Sequence, residues 1–276
     1  MNAIRLGLAR GRIELRHMFT MPSELVQGFL PTVVFMVVIA FLRSVPLGGS
    51  TVPLGAVILT SVLGSSVWSA GLTLMAQTLA ADREDGTLLR AKALPNGMPA
   101  YLTGKILVAS GFALASVAFL LVYALLLFHD LGRAGVGGWL KFVLVTVLGL
   151  LATLSIGAVL GALFPNPRVS GVIITIPILM LTGISGILFP ITVLPEWVQW
   201  IAQVFPVYWL GLGMRSALLP DSALVAEIGH SWRDWQTFAV LGAWALVGLI
   251  LAPIVLRRMT RRGTGSRLGK AIQRVG

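Results

Sequence analysis

An all-α fold embedded in a membrane is predicted by three observations. Of the 276 residues, 57% are hydrophobic and 11% charged, with a mean hydropathy of +0.91, against about 45–50% apolar in a soluble domain. Six stretches are long enough to cross hydrocarbon roughly 30 Å thick, which takes about 20 apolar residues at 1.5 Å rise each. The basic residues gather on alternate connections between those stretches, as the positive-inside rule requires.

The chain reads as one transmembrane domain, with an N-terminal segment 1–24, a six-span core 25–256 and a basic tail 257–276. In the first segment Ile4, Leu8, Ile13, Leu15 and Met18 alternate with Arg5, Arg10, Arg12 and Arg16. That mixture predicts an interfacial helix leading into the first span; a basic anchor without fixed structure is the alternative. Gly7 and Gly11 count against the helix.

The predicted spans are 25–42, 54–80, 106–128, 142–164, 169–189 and 236–256. The first reads as a retained span rather than a cleaved leader, because about two dozen residues precede it and no small-x-small site follows. Between the second and third spans lies DREDGTLLRAKALP, which packs Asp82, Arg83, Glu84, Asp85, Arg90 and Lys92 into eleven residues. Acidic groups at its start, the apolar Leu88, Leu89, Ala91, Ala93 and Leu94, and the stop at Pro95, Asn96 and Gly97 predict a short amphipathic helix. A solvated connector is the competing reading. The small residues of GAVLG, 157–161, predict close helix packing in the fourth span.

A seventh apolar stretch, 197–214, is split by Pro206 into halves too short to span. Pro195 and Glu196 mark a helix start, and Trp197, Trp200, Ile201 and Val204 share one face. Tryptophans at that density predict a re-entrant or surface hairpin on the extracytoplasmic side, between the fifth and sixth spans. With six spans, the N-terminus, the second-to-third and fourth-to-fifth connections and the tail carry 16 of the 21 Lys and Arg residues, so both termini are predicted cytoplasmic. A seven-span chain would send the seven basic residues of the tail outside.

Several chemistries are disfavoured. The chain has no cysteine, and His17, His129 and His230 all lie outside the predicted spans, which leaves no credible intramembrane haem or metal ligand set. The spans carry no confident Asp, Glu, Lys or Arg, the signature of ion-coupled transport. The net charge of +11 flanks apolar runs without interleaved aromatics, against nucleic acid as a partner. Neither GMPAYLTGKI nor GTGSRLGKA has the glycine spacing or the Ser/Thr of a phosphate loop. GISG, 183–186, offers Ser185 as the nucleophile of an intramembrane serine protease, but no histidine in a span serves as its base.

The acidic cluster followed by GTLLRAKALP resembles the cytoplasmic loop of the ATP-binding cassette type-2 permeases, the drug- and antibiotic-exporter kind. FPITVLPEWVQWIAQVFPVYWLGLGMRSALL, 189–219, resembles that family's region between its last two spans. The resemblance implies a plasma-membrane permease that pairs with a second copy or paralogue and with two cytoplasmic ATPase subunits. ATP and magnesium would be bound by those subunits, and this chain would hold no cofactor, metal or catalytic residue. It also implies that Asp82, Glu84, Asp85, Gly86, Thr87, Leu88 and Arg90 form the ATPase-coupling segment. The expected cargo is hydrophobic or amphipathic, a drug-like compound or lipid, with a lipid-linked glycan as the alternative. Trp68, Met75, Met180, Ile184 and Phe189 are candidates for lining its path.

Overall fold

The computed structural model describes residues 3–128, 131, 134–163 and 167–272. His129 and residues 164–166 lie outside them, as do the side chains of the basic tail. Eleven α-helices run through the described residues: α1 (Ala3–Thr20), α2 (Pro22–Leu42), α3 (Leu54–Ser69), α4 (Met75–Glu84), α5 (Thr87–Ala93), α6 (Gly97–Leu127), α7 (Val136–Leu163), α8 (Pro167–Ile184), α9 (Glu196–Val204), α10 (Pro206–Leu218) and α11 (Asp234–Ile272). A π-helical turn, Ala70–Leu74, joins α3 to α4, so Leu54–Glu84 forms one continuous rod.

Four helices are long and apolar enough to cross a membrane: Leu54–Glu84, Gly97–Leu127, Val136–Leu163 and Asp234–Leu256. The first predicted span falls on α2 and the fifth on α8, with apolar stretches Gly28–Leu42 and Val172–Ile184 among the described residues. Helix α8 ends at Ile184 rather than Phe189 because Gly186 adopts φ +73°, a left-handed conformation that stops a helix.

The α3–α4 rod is the centre of the bundle, packed by α2, α6, α7 and α10. Close approach is built from small residues. A Cβ at Gly64 would stand 2.7 Å from the carbonyl of Leu210, and one at Gly157 or Gly161 would stand 2.7 Å from the carbonyls of Leu72 or Ala76. GAVLG is therefore a packing seam, as its composition predicts. Gly7 and Gly11 of α1 play the same part against α6, lying against Ala100, Thr103 and Gly104. Their cost in helix propensity is offset by the packing they permit, and α1 is helical throughout.

Pro206 separates α9 from α10, as the sequence predicts. Helix α10 is buried among α3, α7 and α11, with Tyr208, Leu210, Leu212 and Met214 at zero exposure. Helix α9 turns Val198 and Ala202 inward and leaves Trp197, Trp200, Ile201 and Val204 exposed.

Candidate functional site

The charged stretch after α4 folds into a compact corner. Gly86 takes φ +74° and caps α5 from the N-terminal side, and Asn96 takes φ +57° at the start of α6. Two left-handed residues thus reverse the chain on either side of a seven-residue helix. A Cβ at Gly86 would meet nothing within 4 Å, so its requirement is conformational and not one of space.

The inner face of α5 is apolar. Leu88 and Ala91 are buried in a cluster with Leu79, Tyr101, Ala162 and Leu256, which fastens the short helix to α4, α6, α7 and α11. Asp82 also turns inward. Its carboxylate accepts a hydrogen bond from the Tyr101 hydroxyl at 2.7 Å and pairs with the Lys105 ammonium at 2.8 Å. Lys105 bridges on to Glu14 at 2.9 Å, and Glu14 to Arg10 at 2.8 Å, with the Arg10 guanidinium 5.4 Å from the Tyr101 ring centroid. Burial pushes the Glu14 carboxyl up, but the hydrogen bonds from Arg10 and Lys105 outweigh it and hold its pKa below the ordinary 4.5. This network pins α1 and α6 to the end of α4.

The outer face is different. Glu84, Asp85 and Arg90 are exposed and make no ion pair or side-chain hydrogen bond among the described residues. Thr87 is half-buried beside them, and Arg83 donates to the carbonyl of Ala162 at the end of α7. The predicted coupling residues therefore divide: Asp82 and Leu88 hold the corner from inside, and Glu84, Asp85 and Arg90 project from it. Sequence reasoning missed Tyr101, Lys105 and Glu14 as members. The available signal was Glu14, the one acidic residue among the first 23.

At the far end of the rod a second ionic group is fully enclosed. Arg215 of α10 donates from Nε to Glu227 Oε1 at 2.5 Å and from Nη2 to Oε2 at 3.2 Å, both side chains being 2% exposed. Its Nη1 also donates to Ser61 Oγ at 2.7 Å and to the carbonyl of Gly186 at 3.3 Å. One guanidinium thus ties α3, the end of α8, α10 and the 3-10 turn Asp221–Ala226, which ends just before Glu227. Nearby, Lys141 pairs with Asp234, which also accepts from Ser216, linking α7, α10 and α11.

The five candidate path residues are not brought together within one chain. Trp68 and Met75 are buried in the core, Ile184 is half-buried, and Met180 and Phe189 are exposed. Ser185 is wholly buried and donates to the carbonyl of Thr182 at 2.9 Å; among the described residues no histidine pairs with it. Its hydroxyl closes the end of α8.

A search of curated proteins found no match. The family model described as ABC-2 family transporter protein matches residues 42–254, which include the rod, the charged corner and the enclosed Arg215–Glu227 pair. The chain therefore belongs to the ABC-2 transporter family, as a multi-pass membrane protein of that family.

Proposed function

We propose that this chain is the permease subunit of an ATP-driven exporter, and that the outer face of the α4–α5 corner seats on a separate ATPase. In this reading six segments cross the membrane, α2 and α8 being the two short ones, with both termini cytoplasmic. Two copies, or one copy and a paralogue, combine with two ATPase subunits that bind ATP and magnesium. The cargo is hydrophobic or amphipathic, since among the described residues the ion pairs on the long apolar helices lie toward their ends, Asp82 with Lys105 and Lys141 with Asp234. Trp68, Met75, Met180, Ile184 and Phe189 stay candidates for its path, of which Met180 and Phe189 are exposed and open to a paired copy.

The observation that carries this reading is the division of the corner into an anchored inner face and an outer one on which Glu84, Asp85 and Arg90 make no ion pair among the described residues. A solvated connector has no need of an apolar inner face locked by Leu88 and Ala91, or of left-handed residues at both ends. A docking element needs all of these, because force applied to it reaches the bundle only through a fixed joint. Truncation of a charge that is desolvated on docking weakens such an interface by about 2–5 kcal/mol, against about 1 kcal/mol for one left in solvent.

The test is affinity purification of the tagged chain from its own membranes, with phosphate-loop peptides counted by mass spectrometry. Wild type should recover an ATPase, and Glu84→Ala, Asp85→Ala and Arg90→Ala should recover less at equal membrane abundance. Undiminished recovery by all three variants would show that the corner is not the docking face.

A further inference from the structure

A cavity of about 450 Å³ lies between α2, the α3–α4 rod and α6, within the range of about 300–1,000 Å³ that small-molecule sites occupy. Its walls differ. The rod contributes Ser65, Ser66, Ser69, Thr73 and Gln77, a polar face that continues across the π-turn, while Met18, Phe35 and Phe112 supply apolar surface. Among the described residues no charged side chain lines it.

The hydroxyls differ in how they are satisfied. Ser65 and Ser66 donate back to the helix, to the carbonyls of Val62 and Leu63 at 3.0 and 2.8 Å. Ser69, Thr73 and Gln77 make no hydrogen bond among the described residues. Ser69 adjoins the π-turn, Thr73 lies in it and Gln77 follows it on α4. Opposite them Pro31 interrupts the hydrogen-bond ladder of α2 at the cavity wall. The described lining therefore offers donors and acceptors on one side, hydrocarbon and aromatic surface on the other, and no charge.

We infer that this cavity binds an uncharged amphiphile, its hydrogen-bonding head against Ser69, Thr73 and Gln77 and its apolar part against Phe35 and Phe112. The inference rests on the exporter reading for its role as a cargo site, but not for the binding itself. An ionised head would meet no counter-charge among the described lining residues, which favours an uncharged head. The site lies within one chain and does not depend on a second copy. Gln77 stands two helical turns before Glu84 on the same rod, so an occupied cavity and the charged corner share one rigid element.

The test is photolabelling of the full-length purified chain, without nucleotide, by a diazirine-bearing alkyl glucoside, with a headless diazirine alkane and a quaternary-ammonium analogue for comparison. The glucoside should label peptides within 28–35 or 62–77 in a saturable way, and the ammonium compound should not compete. Ser69→Val with Thr73→Val should raise the half-saturating concentration about tenfold, the loss expected from two hydrogen bonds. Thr73→Ser should keep near-wild-type labelling, and unchanged labelling of exposed faces by the alkane would show that the double variant is folded. Glucoside labelling that is unsaturable, that favours 172–180 over the cavity, or that ignores the double substitution overturns the inference. Because ATPase recovery is measured separately, a saturable site without a recovered ATPase would refute the exporter reading and leave the site standing.

Discussion

The two ends of the α3–α4 rod handle charge in opposite ways. At the extracytoplasmic end in the proposed orientation, Arg215 and Glu227 are 2% exposed and every guanidinium nitrogen has a partner. At the α5 end, Asp82, Lys105 and Glu14 are partly buried, and Glu84, Asp85 and Arg90 are exposed and unpaired among the described residues. The enclosed pair acts as a fastening, because a buried charge is tolerable only while its partner stays in place. The graded end acts as a surface, held from behind and free in front.

The largest effect expected from this contrast comes from the enclosed pair. Arg215→Ala or Glu227→Ala leaves a lone buried charge and should destabilise the fold by about 3–5 kcal/mol, seen as lost monodispersity and a lower thermal midpoint in detergent. Arg215→Met combined with Glu227→Leu should recover much of that loss. A midpoint unmoved by either single substitution would break the contrast.

An intermediate effect is expected in the graded network. Asp82→Ala removes one of two partners from Lys105 and one from Tyr101, and should cost about 1–3 kcal/mol. Its pH dependence has a definite sign. The folded pKa of Glu14 lies below 4.5, so its contribution is full above the unfolded value and is lost as pH falls through the folded one. The gap in thermal midpoint between wild type and Glu14→Gln should hold at neutral pH and close on acidification below 4.5.

Smaller still is Gly86→Val. The open space around Gly86 leaves only the left-handed backbone term, about 1–2 kcal/mol, so the protein should fold but recover less ATPase. The smallest effect on stability belongs to Glu84→Ala, within about 0.5 kcal/mol by thermal unfolding. A large loss of stability there would show that Glu84 is structural and would erase the distinction between the faces.

What was legible in the sequence was whatever depends on neighbours along the chain. Pro206 splits α9 from α10, Pro95 and Gly97 bracket the end of α5, and GAVLG packs closely, because each follows from local backbone chemistry. The outward face of α9 was legible as a face, from the spacing of Trp197, Trp200, Ile201 and Val204. Less legible was anything requiring knowledge of what lies opposite. Asp82 and Glu84 read alike as acids in one cluster, and only the position of Tyr101 and Lys105 on α6 separates their roles. Gly7 and Gly11 read as helix-weakening until α6 supplies the backbone they touch. Arg215 and Glu227 are joined across an irregular turn that no periodicity encodes.

The π-turn at Ala70–Leu74 has a mechanical consequence. The rod that contains it runs 31 residues, about 46 Å at 1.5 Å per residue. Its upper half is gripped where backbone meets backbone, at Gly55 against Leu42 and at Gly64 against Leu210, and by Ser61 on Arg215. Its lower half ends at the corner beside α5. The π-turn and the residues below it are gripped as closely by α7, Leu72 against Gly157 and Ala76 against Gly161. If the corner docks as proposed, a displacement entering at Glu84 therefore carries α7 along with the rod, through the wider hydrogen-bond ring that holds Thr73.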